Sequence, residues 1–135
     1  MIMGQRLSEL CSQGPYLEED IAISNIALDY LGQASMLYEL LKKAGGDKHS
    51  VDDYVFHRNE RNYYNLLLVE QDNGHFGKTM AKIFLYSTYQ KILYSYLSKS
   101  TNDDIKAIAL KSIKEVNYHF KHSRAWVLRL GDGTK

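Results

Sequence analysis

The chain has 135 residues, 44% of them hydrophobic and 24% charged, with a single proline and nine glycines. That is the make-up of one ordinary globular domain over residues 1–135, and it excludes collagen-like, disordered and multidomain organisations. Seventeen Lys and Arg against sixteen Asp and Glu leave a net charge of +1, so no broad basic field exists for nucleic-acid binding. One cysteine, Cys11, rules out an intrachain disulfide and a multi-cysteine zinc site and fits a reducing compartment. The longest apolar runs, such as Leu66-Leu67-Leu68-Val69, are too short for export or membrane spanning, so the expected location is the cytoplasm, away from any membrane.

The sole proline, Pro15, stands just ahead of a long periodic segment, which leaves the rest of the chain open to long unbroken helices. The pattern predicts a nearly all-α fold. A short helical remnant is expected to about residue 12. A long helix is expected over residues 17–44, stopped by Gly45-Gly46. Residues 52–70 read as helical pieces, and Asp72-Asn73-Gly74 as a turn. A third long helix is expected over residues 75–99. The last runs from the Ser100-Thr101-Asn102-Asp103 cap to Leu130, ahead of Gly131-Asp132-Gly133.

Helical projection at about 100° per residue places Ile105, Ile108, Ala109, Ser112, Ile113, Val116, His119, Phe120, Ser123, Trp126, Val127 and Leu130 on one face of the last helix. Lys106, Lys111, Lys114, Lys121 and Arg124 fall on the other. The second helix carries a main stripe of Ile23, Ile26, Ala27, Tyr30, Gln33, Ala34, Leu37 and Leu41, and a second edge of Ile21, Leu28 and Leu31. The third, with Ile83, Phe84, Leu85, Tyr86, Tyr89, Ile92, Leu93, Tyr94, Tyr96 and Leu97, is apolar almost all round, which predicts burial on several sides. A lone bundle of this length would leave much of that surface wet, so an oligomer or a larger complex is expected. Eleven tyrosines against four phenylalanines suit helix interfaces or a core rim equally well.

Long helical bundles can hold two metal ions between inward carboxylates and Glu-x-x-His boxes. Here residues 77–99 contain neither Asp nor Glu. The inward histidine of the last helix, His119, is preceded three residues earlier by Val116, and the matching pair on the second helix is Tyr30 and Gln33. The expectation is a bundle with no catalytic, cofactor or metal residues of its own. The alternative is a small oxidase with a partial oxygen–nitrogen site in which Asp29 or Glu60 approaches Glu115 and His119. A buried, hydrogen-bonded His119 is the structural counterpart of that idea. His122 reads as a solvated side chain and Cys11 as an ordinary structural cysteine. The glycines form no phosphate loop or dinucleotide fingerprint. The run Arg58-Asn59-Glu60-Arg61-Asn62-Tyr63-Tyr64-Asn65 mixes both charge signs with aromatics, as an interface or a salt-bridged helix does. The basic face at Lys106, Lys114, Lys121 and Arg124 is either an anion or CoA site or plain solvated surface.

Several stretches act as a set: Leu17-Glu18-Glu19-Asp20-Ile21-Ala22; Asn25-Ile26-Ala27-Leu28-Asp29-Tyr30-Leu31-Gly32-Gln33-Ala34; Arg58-Asn59-Glu60-Arg61; Asn65-Leu66-Leu67-Leu68-Val69-Glu70-Gln71; Asn73-Gly74-His75-Phe76; Lys114-Glu115 with Tyr118-His119; and Arg129-Leu130-Gly131-Asp132-Gly133-Thr134. Over nearly its whole length the chain resembles the phenylacetic acid degradation family, and within it the structural C subunits of ring-1,2-phenylacetyl-CoA epoxidases. The resemblance implies a ferritin-like antiparallel helical bundle. It also implies a non-catalytic role, orienting and burying a homologous di-iron subunit that binds the CoA thioester, with oxygen and reductase electrons consumed there. Those C subunits are longer, with more helix before Met1 and several helices after Lys135, so the chain is expected to be a shortened relative with a truncated first helix. Self-association as a homodimer is then expected in isolation.

Overall fold

A computed structural model describes residues 1–45 and 50–133. The elements are α1 (Ile2–Ser8), α2 (Leu17–Gly45), α3 (Val51–Phe56), a single 3₁₀ turn (Glu60–Asn62), α4 (Leu67–Glu70), α5 (Phe76–Leu97) and α6 (Asp103–Asp132). The all-α, ferritin-like reading holds: three long helices carry the fold, and the described residues contain no strand. Local chemistry sets the boundaries. The Asn102 side chain accepts from Ile105 N at the start of α6, with Asp103 and Asp104 in its first turn, and the His75 ring accepts from Lys78 N at the start of α5. Ser50 and Asp53 form a reciprocal capping box on α3. The turn before α5 is closed by Gly74 at φ 61°, a left-handed conformation that glycine adopts without strain. Of the predicted stop after α2, Gly46 lies outside the described residues. The last helix continues through Gly131 to Asp132 and stops at Gly133 rather than at Leu130.

α6 is the central helix, packed against α5 on one side and α2 on the other, while α1 packs on α2 and α4 bridges α1 to α5. α2 and α6 run antiparallel, and their register is pinned by polar ties along the seam: Trp126 Nε1 donates to Glu19, His119 Nε2 contacts Asp29, Gln33 donates to Glu115, and Lys43 donates to Asp104. α1 approaches closely because Gly4 has no side chain: a Cβ there would stand 2.9 Å from Leu31 Cγ and 3.0 Å from the Ala27 carbonyl oxygen. The main core gathers Met3 and Leu7 of α1, Ile23, Ile26, Ala27 and Tyr30 of α2, Val69 of α4, and Met80 and Ile83 of α5. A smaller cluster holds Tyr94, Ala109 and Val116, with Leu97 and Ile113 against it.

The projected faces need two corrections. The stripe on α2 is buried from Ile23 to Gln33, but Leu37 and Leu41 are 40% and 49% exposed, because α1 is seven residues long and covers one end of the groove between α2 and α5. On α5 the inward side carries polar residues, with Thr79, Lys82, Ser87 and Gln90 buried, while Leu85, Tyr89, Ile92 and Tyr96 face outward. Among the described residues, burial of α5 on several sides is therefore not realised. Leu130, placed on the core face of the last helix, is likewise exposed near the helix end.

A second polar cluster sets the α4–α5 corner. Lys82 is buried, and its ammonium donates to the Gln71 carbonyl at 2.9 Å and to Asn73 Oδ1 at 2.7 Å. Asn73 Nδ2 in turn donates to the Arg6 carbonyl, so this clasp holds the end of α1 against the turn. Burial lowers the Lys82 pKa.

Candidate functional site

The residues in question meet on the inner faces of α2 and α6. Asp29 and Gln33 are one turn apart on α2, and His119 and Glu115 one turn apart on α6, so the antiparallel pairing opposes them two by two. His119, fully buried, places Nε2 2.8 Å from Asp29 Oδ2. Gln33 Nε2 donates to Glu115 Oε2 at 2.9 Å. The Gln33 carbonyl oxygen accepts from the Tyr94 hydroxyl at 3.1 Å and from Gln90 Nε2 at 3.4 Å. An amide thus stands where a cation would face the Glu115 carboxylate, and its other end joins α5 into the same network. Val116, next to Glu115, is fully buried apolar surface.

Burial dominates the electrostatics. It lowers the His119 pKa, with the Asp29 carboxylate pulling the other way. It raises Tyr30 well above its ordinary value, raises Tyr94, where the Glu115 charge adds to the effect, and pushes Tyr86 up to about 12. The Tyr30 ring meets His119 edge-on at 4.7 Å between centroids and Tyr86 at 5.4 Å. Among the described residues, buried Tyr30 Oη and His119 Nδ1 have no hydrogen-bond partner.

The structure joins Asp29 to His119 and Glu115 to Gln33, in separate pairs. Glu60 is not brought to them; it is exposed on the 3₁₀ turn and lines a groove with Ile2, Arg6 and Tyr63. Among the described residues no group of three or more His, Cys, Asp and Glu side chains could hold a metal ion. These donors do not fit a two-metal carboxylate centre: α5 supplies no carboxylate, and the α2 and α6 positions that would complete such a centre hold Gln33 and Val116. His122 corrects the solvated reading. Its Nε2 lies 3.1 Å from Glu19 Oε2, out of line for a hydrogen bond, with both side chains only 14% exposed. Cys11 is exposed.

Two neighbouring clefts open beside the network. One, of about 210 Å³, is lined by Tyr30, Gln33, Ala34, Leu37, Tyr38, Tyr86, Gln90 and Tyr94. The other, of about 400 Å³, lies over Tyr38, Arg58, Tyr63, Tyr64, Tyr86 and Tyr89. Sequence reasoning leaves Arg58 in a mixed run. The structure makes it the organiser of this wall, donating to the Tyr54 and Asn62 carbonyls and to the Tyr38 hydroxyl, with its guanidinium 4.3 Å from the Tyr63 ring centroid. The signal in sequence is an arginine amid tyrosines, the composition of a stacked guanidinium. Lys106, Lys114, Lys121 and Arg124 are all exposed on the outer side of α6. No described helix is long and apolar enough to cross a membrane.

The chain is 41% identical over 134 residues, 99% of its length, to the C subunit of 1,2-phenylacetyl-CoA epoxidase of Escherichia coli (strain K12). It spans about half the length of that relative, 54%. The phenylacetic acid catabolic protein family matches residues 1–135 in full. The chain belongs to the phenylacetic acid catabolic protein family.

Proposed function

We propose that the chain is a non-catalytic assembly subunit in the epoxidation of phenylacetyl-CoA during aerobic phenylacetate breakdown. Its partner is a homologous di-iron subunit that takes the thioester and performs the oxygenation, and its place of work is the cytoplasm. The chain contributes no cofactor; it orients the partner and buries the partner's helices. The observation that carries this reading is the Gln33–Glu115 hydrogen bond. A metal centre needs its carboxylate to face a cation, whereas this one is held by an amide that is itself tied to Tyr94. Similarity to the C subunit of a phenylacetyl-CoA epoxidase adds to the case.

Co-expression with the di-iron subunit of a phenylacetyl-CoA epoxidase tests it, with elemental analysis and phenylacetyl-CoA turnover measured on the chain alone and on the pair. The expected result is a co-purifying complex that turns over with reductant and oxygen, and a chain that alone carries no stoichiometric iron. About two irons per chain, with oxygen consumption by the chain alone, would overturn it in favour of an oxidase working through Asp29, Glu115 and His119.

A further inference from the structure

Lys82 is a buried amine that the proposed assembly role leaves unused. It is 3% exposed, and Asn73 beside it 9%. Its Nζ donates to Asn73 Oδ1 at 2.7 Å and to the Gln71 carbonyl at 2.9 Å. Both acceptors are neutral oxygens, and among the described residues no carboxylate forms an ion pair with it. Taking a lone cation out of water is costly, and a group placed in this way relieves the cost by giving up its proton. Burial accordingly lowers the Lys82 pKa. A deprotonated amine is a nucleophile, and the group against it is a carboxamide. Asn73 Nδ2 donates to the Arg6 carbonyl at 2.5 Å and to Glu9 Oε2 at 3.2 Å, so a carboxylate stands on the amide nitrogen while the amine stands on the amide oxygen. The amine comes from α5, the carboxamide from the turn before it and the carboxylate from the C-cap of α1.

We propose that Lys82 and Asn73 join in an intramolecular isopeptide bond, with Glu9 carrying the proton. Once the ammonium has released one proton to solvent, the Nζ lone pair attacks Asn73 Cγ. A Cγ–Nζ bond forms, the Cγ–Nδ2 bond breaks, and Nδ2 departs as ammonia. The Glu9 carboxylate accepts the proton that Nζ loses on attack and delivers one to the departing Nδ2. Nothing is oxidised or reduced, and no cofactor is consumed. The hydrogen bond from Nζ to the Gln71 carbonyl keeps the nitrogen beside the amide, and Thr79 Oγ1, donating to the Asn73 carbonyl at 3.1 Å, anchors the asparagine backbone. The two reacting groups are thus brought together before the reaction, which is what makes intramolecular steps fast. The product fixes covalently the corner between the turn and α5 that the hydrogen bonds already hold, and it forms whether or not the chain works with a di-iron partner.

Intact mass spectrometry of the full chain, unfolded after purification, tests it together with tryptic mapping. The expected result is a wild-type mass lower by one ammonia, no cleavage after Lys82, and one branched peptide joining residues 62–78 to residues 79–91. Lys82→Arg and Asn73→Ala keep their full masses. Glu9→Gln slows the accumulation of the lighter form after lysis by about a hundredfold. Cyclisation of Asn73 onto the Gly74 nitrogen also sheds ammonia, but it persists in Lys82→Arg and leaves the cleavage after Lys82 intact. That pattern overturns the proposal, as does a wild-type chain of full mass or a Glu9→Gln chain that reacts as fast as wild type. The wild-type peptide map decides without any variant, so the test stands even where Lys82→Arg fails to fold.

Discussion

Gln33 on α2 and Glu115 on α6 face each other across the central seam, the amide nitrogen donating to the carboxylate at 2.9 Å. Gln33→Leu leaves the half-buried Glu115 carboxylate without that donor and the Tyr94 hydroxyl without its acceptor. The expected cost is about 2 kcal/mol, a fall in Tm of about 6–10 °C for a chain of this size. Gln33→Glu has a different signature. Two facing carboxylates share a proton, so the variant is near wild-type stability in acid and loses stability as pH rises above about 4. Urea midpoints across pH decide this; a Gln33→Glu deficit that does not depend on pH sinks it.

His119 gives the wild-type protein an acid-sensitive core. Burial lowers its pKa from 6.5, so the unfolded chain takes up a proton that the folded chain resists. Stability is then full above about pH 6.5 and falls as pH drops below it. His119→Asn removes that dependence. We expect the variant to be less stable at about pH 7.5 yet to lose less than wild type on going to about pH 5.5. Parallel acid losses in the two proteins would show that His119 does not drive the transition.

The buried Lys82 ammonium is expected to hold α1 in place through Asn73. Lys82→Met keeps most of the stem's packing but leaves Asn73 Oδ1 and the Gln71 carbonyl without their donor. A loss of about 1–3 kcal/mol follows. Hydrogen exchange localises it: the amides of α1 and of the turn before α5 should speed up more than those of α6. Uniform acceleration across all helices contradicts the clasp.

On the outer face of α6, Lys114→Glu with Lys121→Glu changes stability by no more than about 0.5 kcal/mol, because these side chains are exposed. Titration with free CoA separates the two readings of that face. Equal heats for wild type and variant return the lysines to solvated surface, and binding lost on charge reversal assigns them an anion.

Helix positions are legible in the sequence because their causes are local. Pro15 and Asn73-Gly74 punctuate the chain, Asn102 caps α6, and period-3.6 stripes mark the inner faces, all within a few residues of the bonds they control. Gln33 and Val116 can also be read as misfits for a metal centre, since the test needs only residue type and spacing. His122 escapes such reading because its neighbour, Glu19, lies 103 positions away on α2, and nothing in its own helix signals that approach. Arg58 escapes it for the same reason, its ring partners coming from α2 as well as from the nearby loop.

An all-α chain with three long helices follows from periodicity and composition with no knowledge of the packing. The side of α5 that turns inward does not. That helix is apolar nearly all round, so its own pattern carries no preferred direction. The choice is made in the assembled bundle: Gln33, from the distant α2, receives Gln90 and Tyr94, and Asn73, in the turn just before α5, receives Lys82. These buried polar residues need partners that other helices and turns supply, and satisfying them leaves Leu85, Tyr89, Ile92 and Tyr96 on the outside.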